Sequence, residues 1–228
     1  KGKTMIPALL VRQANKISCK KSWVNLAIFA SGRGSNFSAI VKAVSQGKIK
    51  AKSVILICDK PEALVVKRAQ KAKVKIVLVK REDFTTPADF EEAIIQRLKH
   101  YKIDLIALAG FMRVLSPVFV KEYRNRIMNI HPSLLPAFKG VHAIRDAFNR
   151  KVSCTGVTVH FIDEQVDHGP VILQQKVKIG RKDTLALLEK RIHSVEHKLY
   201  PEAIKLFIDG KVRISGGKAC SVGAIPIL

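Results

Sequence analysis

Residues 24–30 read VNLAIFA and residues 103–109 read IDLIALA, two nearly unbroken apolar runs too short to be helices of any consequence. A strand with one wet face alternates polar and apolar residues, so a strand without polar positions has to be covered on both faces. Between and after these runs the period changes to that of a helix, as in Phe90, Ala93, Ile94, Ile95 and Leu98. The spacing predicts strands at 24–30, 53–58, 75–79, 103–109 and 126–130, with helices at 62–71, 90–100 and 117–123 and a helical pattern through Ala39, Ile40, Ala43 and Val44. Beyond them, longer strands at 155–162 and 171–177 precede one long helix at 184–207, and a strand at 211–214 is expected to close the sheet edge. This order predicts an α/β fold: a mostly parallel, mixed, twisted sheet flanked by helices.

The chain has 228 residues, 47% of them hydrophobic, which suffices for one substantial core. Three segments are expected: a basic extension at 1–22, a catalytic domain at 23–217 ending at Gly216-Gly217, and a mobile tail at 218–228. The apolar patch at residues 5–11 is at the short limit of a signal sequence and no cleavage site follows it. No apolar run approaches the roughly 20 residues of a membrane span. Cys19, Cys58, Cys154 and Cys220 match neither a metal motif nor a disulfide framework, so the expected compartment is the cytoplasm. The formal charge of +23 draws in anions of every kind, phosphorylated metabolites as well as nucleic acid.

Three loops carry chemistry. SGRGSN, at 31–36, lies between the first strand and the first helix, where the amides of Gly34, Ser35 and Asn36 can hold an anion over the helix start. It is not a dinucleotide fingerprint, because Phe37 takes the third glycine position, nor a P-loop, because no G-K-[ST] follows; a monophosphate suits it. MNIHPSLLP, at 128–136, ends a strand with Asn129 and His131 on one face and then stops it at Pro132 and Pro136, which turns the strand end into a stiff platform. Strand carboxyl ends are where ligands gather in open α/β sheets. DEQVDHGP, at 163–170, offers Asp163, Glu164 and Asp167, any of which can orient an imidazole and favour its charged form. No zinc spacing, nucleophile elbow or catalytic cysteine motif is present, and no metal is expected.

SGRGSN, AGFMRVLSP at 109–117, NIHPSLLPAFKG at 129–140 and GVTVHFIDEQVDHGPVILQ at 156–174 occur in the order and spacing of the folate-dependent glycinamide ribonucleotide formyltransferases, which this chain resembles from about residue 24 to 217. The resemblance implies a Rossmann-like formyltransferase fold and transfer of a formyl group from 10-formyltetrahydrofolate, the cosubstrate, to the amine of glycinamide ribonucleotide, a step of purine biosynthesis. It implies a catalytic group of Asn129, His131 and Asp167, with Asn129 and protonated His131 stabilising a tetrahedral oxyanion. It places the substrate phosphate and ribose on Gly34, Ser35, Asn36 and Glu196. It places the folate on Met112, Arg113, Val114, Leu115 and Asn129 and on the loop holding Asp163, Glu164 and Asp167. A basic residue that the family often carries near Pro87 is missing here.

Methionyl-tRNA formyltransferases share this core but add a C-terminal tRNA domain, for which the residues after Gly217 leave no room; formyltetrahydrofolate deformylases usually add an N-terminal domain and do not need the phosphate loop. The expected partners are therefore the two small substrates, with neither nucleic acid nor membrane, in a monomer or homodimer.

Overall fold

The computed structural model describes residues 23–215 and 218–221. Seven strands form one sheet: β1 (Val24–Phe29), β2 (Ala51–Cys58), β3 (Lys75–Leu78), β4 (Leu105–Leu108), β5 (Ile127–His131), β6 (Cys154–Phe161) and β7 (Val171–Lys178). Their order is β3-β2-β1-β4-β5-β6-β7, parallel as far as β5, after which β6 and β7 run antiparallel. The order reverses direction at β1, where one chain half departs toward β3 and the other toward β7. That switch point opens a crevice at the strand carboxyl ends.

The continuous apolar strands are explained by two cores, one on each face. Leu26 and Ile28 of β1 pack with α1 (Ser35–Ser45), α2 (Leu64–Lys71) and α6 (Leu185–Ile208), whereas Ala27 and Phe29 point the other way, toward α3 (Pro87–His100) and α4 (Pro117–Glu122). Each fully buried Leu, Ile or Phe contributes roughly 1.5–3 kcal/mol relative to exposure. Helix starts are marked chemically: Thr86 Oγ1 accepts from Asp89 N at 3.1 Å, and Thr184 Oγ1 accepts from Leu187 N at 3.3 Å. Such caps are worth about 1 kcal/mol each. Among the described residues no helix is long and apolar enough to cross a membrane.

Two expectations need correction. The strand expected at 211–214 forms as β8 (Val212–Ser215), but it pairs with β9 (Lys218–Ser221) in a separate two-stranded sheet and does not close the main one. The 24 residues of α6 extend about 36 Å at 1.5 Å per residue, farther than the eight-residue β6 and β7 they lie against. After this helix the chain turns back so that β9 lies near β7 without joining its ladder, and β9 occupies the start of the segment expected to be a mobile tail. A short helix, α5 (Ala143–Asn149), was not foreseen; it buries only Ala143 and Ala147, too small an apolar stripe to register as periodicity. The basic extension at 1–22, the glycine pair at 216–217 and the end of the tail lie outside the described residues.

Candidate functional site

β5 delivers Asn129 and His131 to one side of the sheet while Ile130 enters the core on the other, the period-2 arrangement expected of a strand. The following loop is held by more than its prolines. Thr158 Oγ1 on β6 donates to the Ser133 carbonyl at 2.7 Å and accepts from Leu135 N at 3.1 Å, and Gln174 Nε2 on β7 donates to the Leu135 carbonyl at 2.9 Å. Thr158 is fully buried, so these bonds cannot be exchanged for water and the platform is fixed.

Asp167 reaches the platform from the β6–β7 loop with its backbone at φ 49°, a left-handed conformation costing an ordinary residue roughly 1–2 kcal/mol. Its carboxylate offsets that cost: Oδ2 accepts from Gly140 N at 2.9 Å and lies 3.4 Å from His131 Nδ1. The Nε2 of His131 is 2.7 Å from the Phe138 carbonyl. A carbonyl only accepts, so Nε2 carries a proton, and Nδ1 faces the carboxylate. Gly169 lets this loop approach β6: a Cβ there would stand 2.0 Å from the Phe161 carbonyl oxygen.

Of the three acids in the loop, only Asp167 meets His131. Asp163 turns away, its Oδ2 2.7 Å from His168 Nδ1 and its Oδ1 accepting from Gln165 N at 3.0 Å, and Glu164 is exposed. Residues 163 and 164 therefore build the turn, and neither lines the cleft formed by Met112–Leu115.

At the switch point, Gly34 precedes α1 with φ 72°, and a Cβ on it would lie 2.5 Å from Val65 Cγ2. Conformation and space both demand glycine. α1 begins without a side-chain cap and without an acid in its first turn, so its leading amides and dipole face the crevice. Asn36 Nδ2 donates to Glu196 Oε2 at 3.0 Å, and His193 Nδ1 approaches the same oxygen at 3.0 Å. Glu196 is buried, and its bond to His193 lifts that imidazole above its ordinary range. Thus α1 and α6, distant in sequence, bring Gly34, Ser35, Asn36 and Glu196 to one place.

One strand over from Asn129, the loop after β4 shapes a cleft of about 270 Å³. Phe90, Phe111 and Leu115 supply apolar wall, Met112 and Val114 are exposed beside it, and Arg81 and Arg113 flank it. Arg113 is fixed twice, by Nε on Asp59 Oδ2 at 2.5 Å and by its guanidinium 5.5 Å from the Phe90 ring centre. Glu91, buried in α3, accepts from Ser116 N at 2.8 Å and from the Ser116 hydroxyl, which anchors the loop's far end. Arg81, in a turn of 3-10 helix at Arg81–Asp83, was missed; it lines this cleft six positions before Pro87, a placement that sequence register cannot reveal. His160 was missed too. β6 pairs Asn129 with His160 and His131 with Thr158, so the alternation Thr158, His160 on the neighbouring strand was the available signal.

A mixed sheet with an uncapped helix start at its switch point and a carboxamide, an imidazole and a carboxylate gathered at an adjacent strand end has the architecture of an α/β group-transfer enzyme. Residues 24–204 match the formyl transferase family model, and the chain belongs to that family. It is 45% identical over 179 residues to a phosphoribosylglycinamide formyltransferase of Bacillus subtilis, covering 78% of this chain and 92% of that one. It is 37% identical to the human trifunctional purine biosynthetic protein adenosine-3, covering 91% of this chain but 21% of that longer protein. The crystal structure of glycinamide ribonucleotide transformylase 1 from Symbiobacterium toebii superposes with a TM-score of 0.86 at 37% identity, covering 89% of this chain and 96% of that one.

Proposed function

We propose that this chain transfers the formyl group of 10-formyltetrahydrofolate to the amine of glycinamide ribonucleotide, as part of purine biosynthesis in the cytosol. The observation that carries the reading is that β5 ends in Asn129 and His131, with Asp167 against His131, in a sheet whose neighbouring strand ends lead to the α1 start and to the β4 cleft. The names and extent of the similar proteins support the same substrates.

The residues present fit both substrates. Backbone amides at Gly34, Ser35 and Asn36 suit a phosphate, and the buried carboxylate of Glu196, steadied by Asn36, suits ribose hydroxyls. The cleft between Phe90, Phe111 and Leu115 suits a flat aromatic cosubstrate, and Arg81 and Arg113 at its side suit that molecule's carboxylates. The loop containing Asp163 and Glu164 would cover the ring end. The folate supplies an activated formyl carbon.

The chain's own residues do the remainder. Asn129 offers an amide N–H where negative charge develops on the formyl oxygen, an interaction worth about 3–4 kcal/mol in comparable sites. His131 presents a proton on Nε2 that the Phe138 carbonyl holds in the resting state. Asp167, itself fixed by Gly140, keeps the ring oriented from the Nδ1 side. Isotopically labelled formyl folate incubated with glycinamide ribonucleotide is expected to yield label on the ribonucleotide amine. Label appearing only as free formate would overturn the transferase reading in favour of hydrolysis.

A further inference from the structure

His160 has no part in the reading above, yet it is almost wholly buried and stands directly opposite Asn129 in the β5–β6 ladder. Its Nδ1 lies 2.8 Å from the Phe161 carbonyl oxygen, which has no hydrogen to give, so Nδ1 carries a proton. Burial pushes this imidazole below its ordinary range, against the Phe161 carbonyl and the Asp167 charge that favour the cation, while the neighbouring His131 adds to the lowering. The ring is therefore neutral near pH 7, and its Nε2 is a bare lone pair. That lone pair faces the Asn129 amide nitrogen at 3.3 Å; Asp167 Oδ1, at 3.8 Å, is beyond hydrogen-bond range.

A primary amide has two orientations of similar shape, with opposite consequences for a developing anion. If Asn129 turned its carboxamide over, Oδ1 would meet the His160 lone pair, and the nitrogen would leave the position it now holds. We infer that His160 is a positioning residue: its Nε2 accepts one N–H of Asn129 and so fixes the carboxamide with its second N–H available to the formyl oxygen. The inference rests on the reading of Asn129 as the donor to that oxygen. It gives a physical reason for a buried histidine on β6, where an apolar residue would fill the space but leave the amide free to turn.

The test compares His160→Phe, which keeps a ring but removes the acceptor, with His160→Gln, which restores an acceptor oxygen, each alone and in an Asn129→Ala background. His160→Phe is expected to lower kcat roughly ten- to a hundredfold, less than outright loss of such a donor, with both KM values within about twofold and with part of kcat recovered in His160→Gln. In the Asn129→Ala background it is expected to cause no further loss, because what it positions is gone. An equal loss in that background, or wild-type kcat in His160→Phe, would overturn the inference while leaving the site reading intact. Wild-type kcat in Asn129→Ala would instead overturn the site reading, and the inference with it. Should the phenylalanine variant fail to fold, the nitrogen-15 spectrum of the unaltered protein decides: a bare Nε2 and protonated Nδ1 on His160 at neutral pH support the inference, and a protonated Nε2 overturns it.

Discussion

Oδ2 of Asp167 lies 3.4 Å from Nδ1 of His131, although the carboxylate comes from a left-handed residue in a loop and the imidazole from the last residue of a strand. The backbone strain is tolerated because the carboxylate also accepts from Gly140 N. The role proposed for this carboxylate is to orient the imidazole. Asp167→Asn is therefore expected to lower kcat by about 10²–10⁴-fold with KM for both substrates nearly unchanged. Steady-state kinetics checks this, and a loss confined to KM contradicts the assigned role.

Gly34 is required by conformation and by space at once. Gly34→Ala is expected to cost about 1–3 kcal/mol, from the left-handed backbone and the overlap with Val65. It should also raise KM for the ribonucleotide, because the amides of the α1 start would move. Urea denaturation measures the first effect and kinetics the second; a variant as stable as the wild type contradicts the argument.

Tyr200 on α6 reaches two carbonyls at once, those of Leu108 on β4 and Met128 on β5, at 3.0 and 2.9 Å. It is fully buried and ties the helix to the strand ends just before the site. Tyr200→Phe leaves those carbonyls without this donor and is expected to destabilise the fold by about 1–2 kcal/mol, read as a lower denaturation midpoint. An unchanged midpoint would show that the hydroxyl contributes nothing.

His160 also makes stability depend on pH. Its folded imidazole titrates below its ordinary range, so between that folded value and about 6.5 the unfolded chain binds more protons and stability rises with pH. The contribution is intact above about pH 6.5 and is lost as pH falls toward the folded value. His197, lowered by burial, acts in the same sense. Unfolding free energies measured from about pH 7 down to about pH 5 should decline with a slope that His160→Gln makes shallower by up to about 1.4 kcal/mol per pH unit. A slope that is unchanged in the variant refutes the assignment.

How far the sequence could be read depended on how local each signal was. The runs at 24–30 and 103–109 announced two-faced strands because nothing but a doubly covered sheet accommodates them. Asn129 and His131 were legible as a pair because period-2 geometry is a property of a few consecutive residues. Which acid joins them was legible only through the family resemblance, which pointed to Asp167: by spacing alone Asp163, Glu164 and Asp167 are equivalent until the loop closes and Asp163 turns to His168 and Gln165. His160 and Arg81 depend on strand register and on the packing of a turn, which arise only when distant segments meet. The path of β8 was misread because an amphipathic strand pattern does not say which sheet it joins.

Arg81 and Arg113 flank the same cleft from different segments, and Arg113 is held in place by Asp59. Arg81→Ala is expected to raise KM for the folate cosubstrate by about tenfold, the loss of one charge-assisted contact, with kcat and the ribonucleotide KM unchanged. Equal effects on both KM values would place Arg81 elsewhere in the reaction.

The most direct measurement follows the absorbance change of a 10-formyl folate with the protein present, first without and then with glycinamide ribonucleotide, using His131→Ala as control. Deformylation that begins only when the ribonucleotide is added and disappears in the variant is the predicted result. Deformylation at the same rate without the ribonucleotide, or undiminished in His131→Ala, contradicts the account.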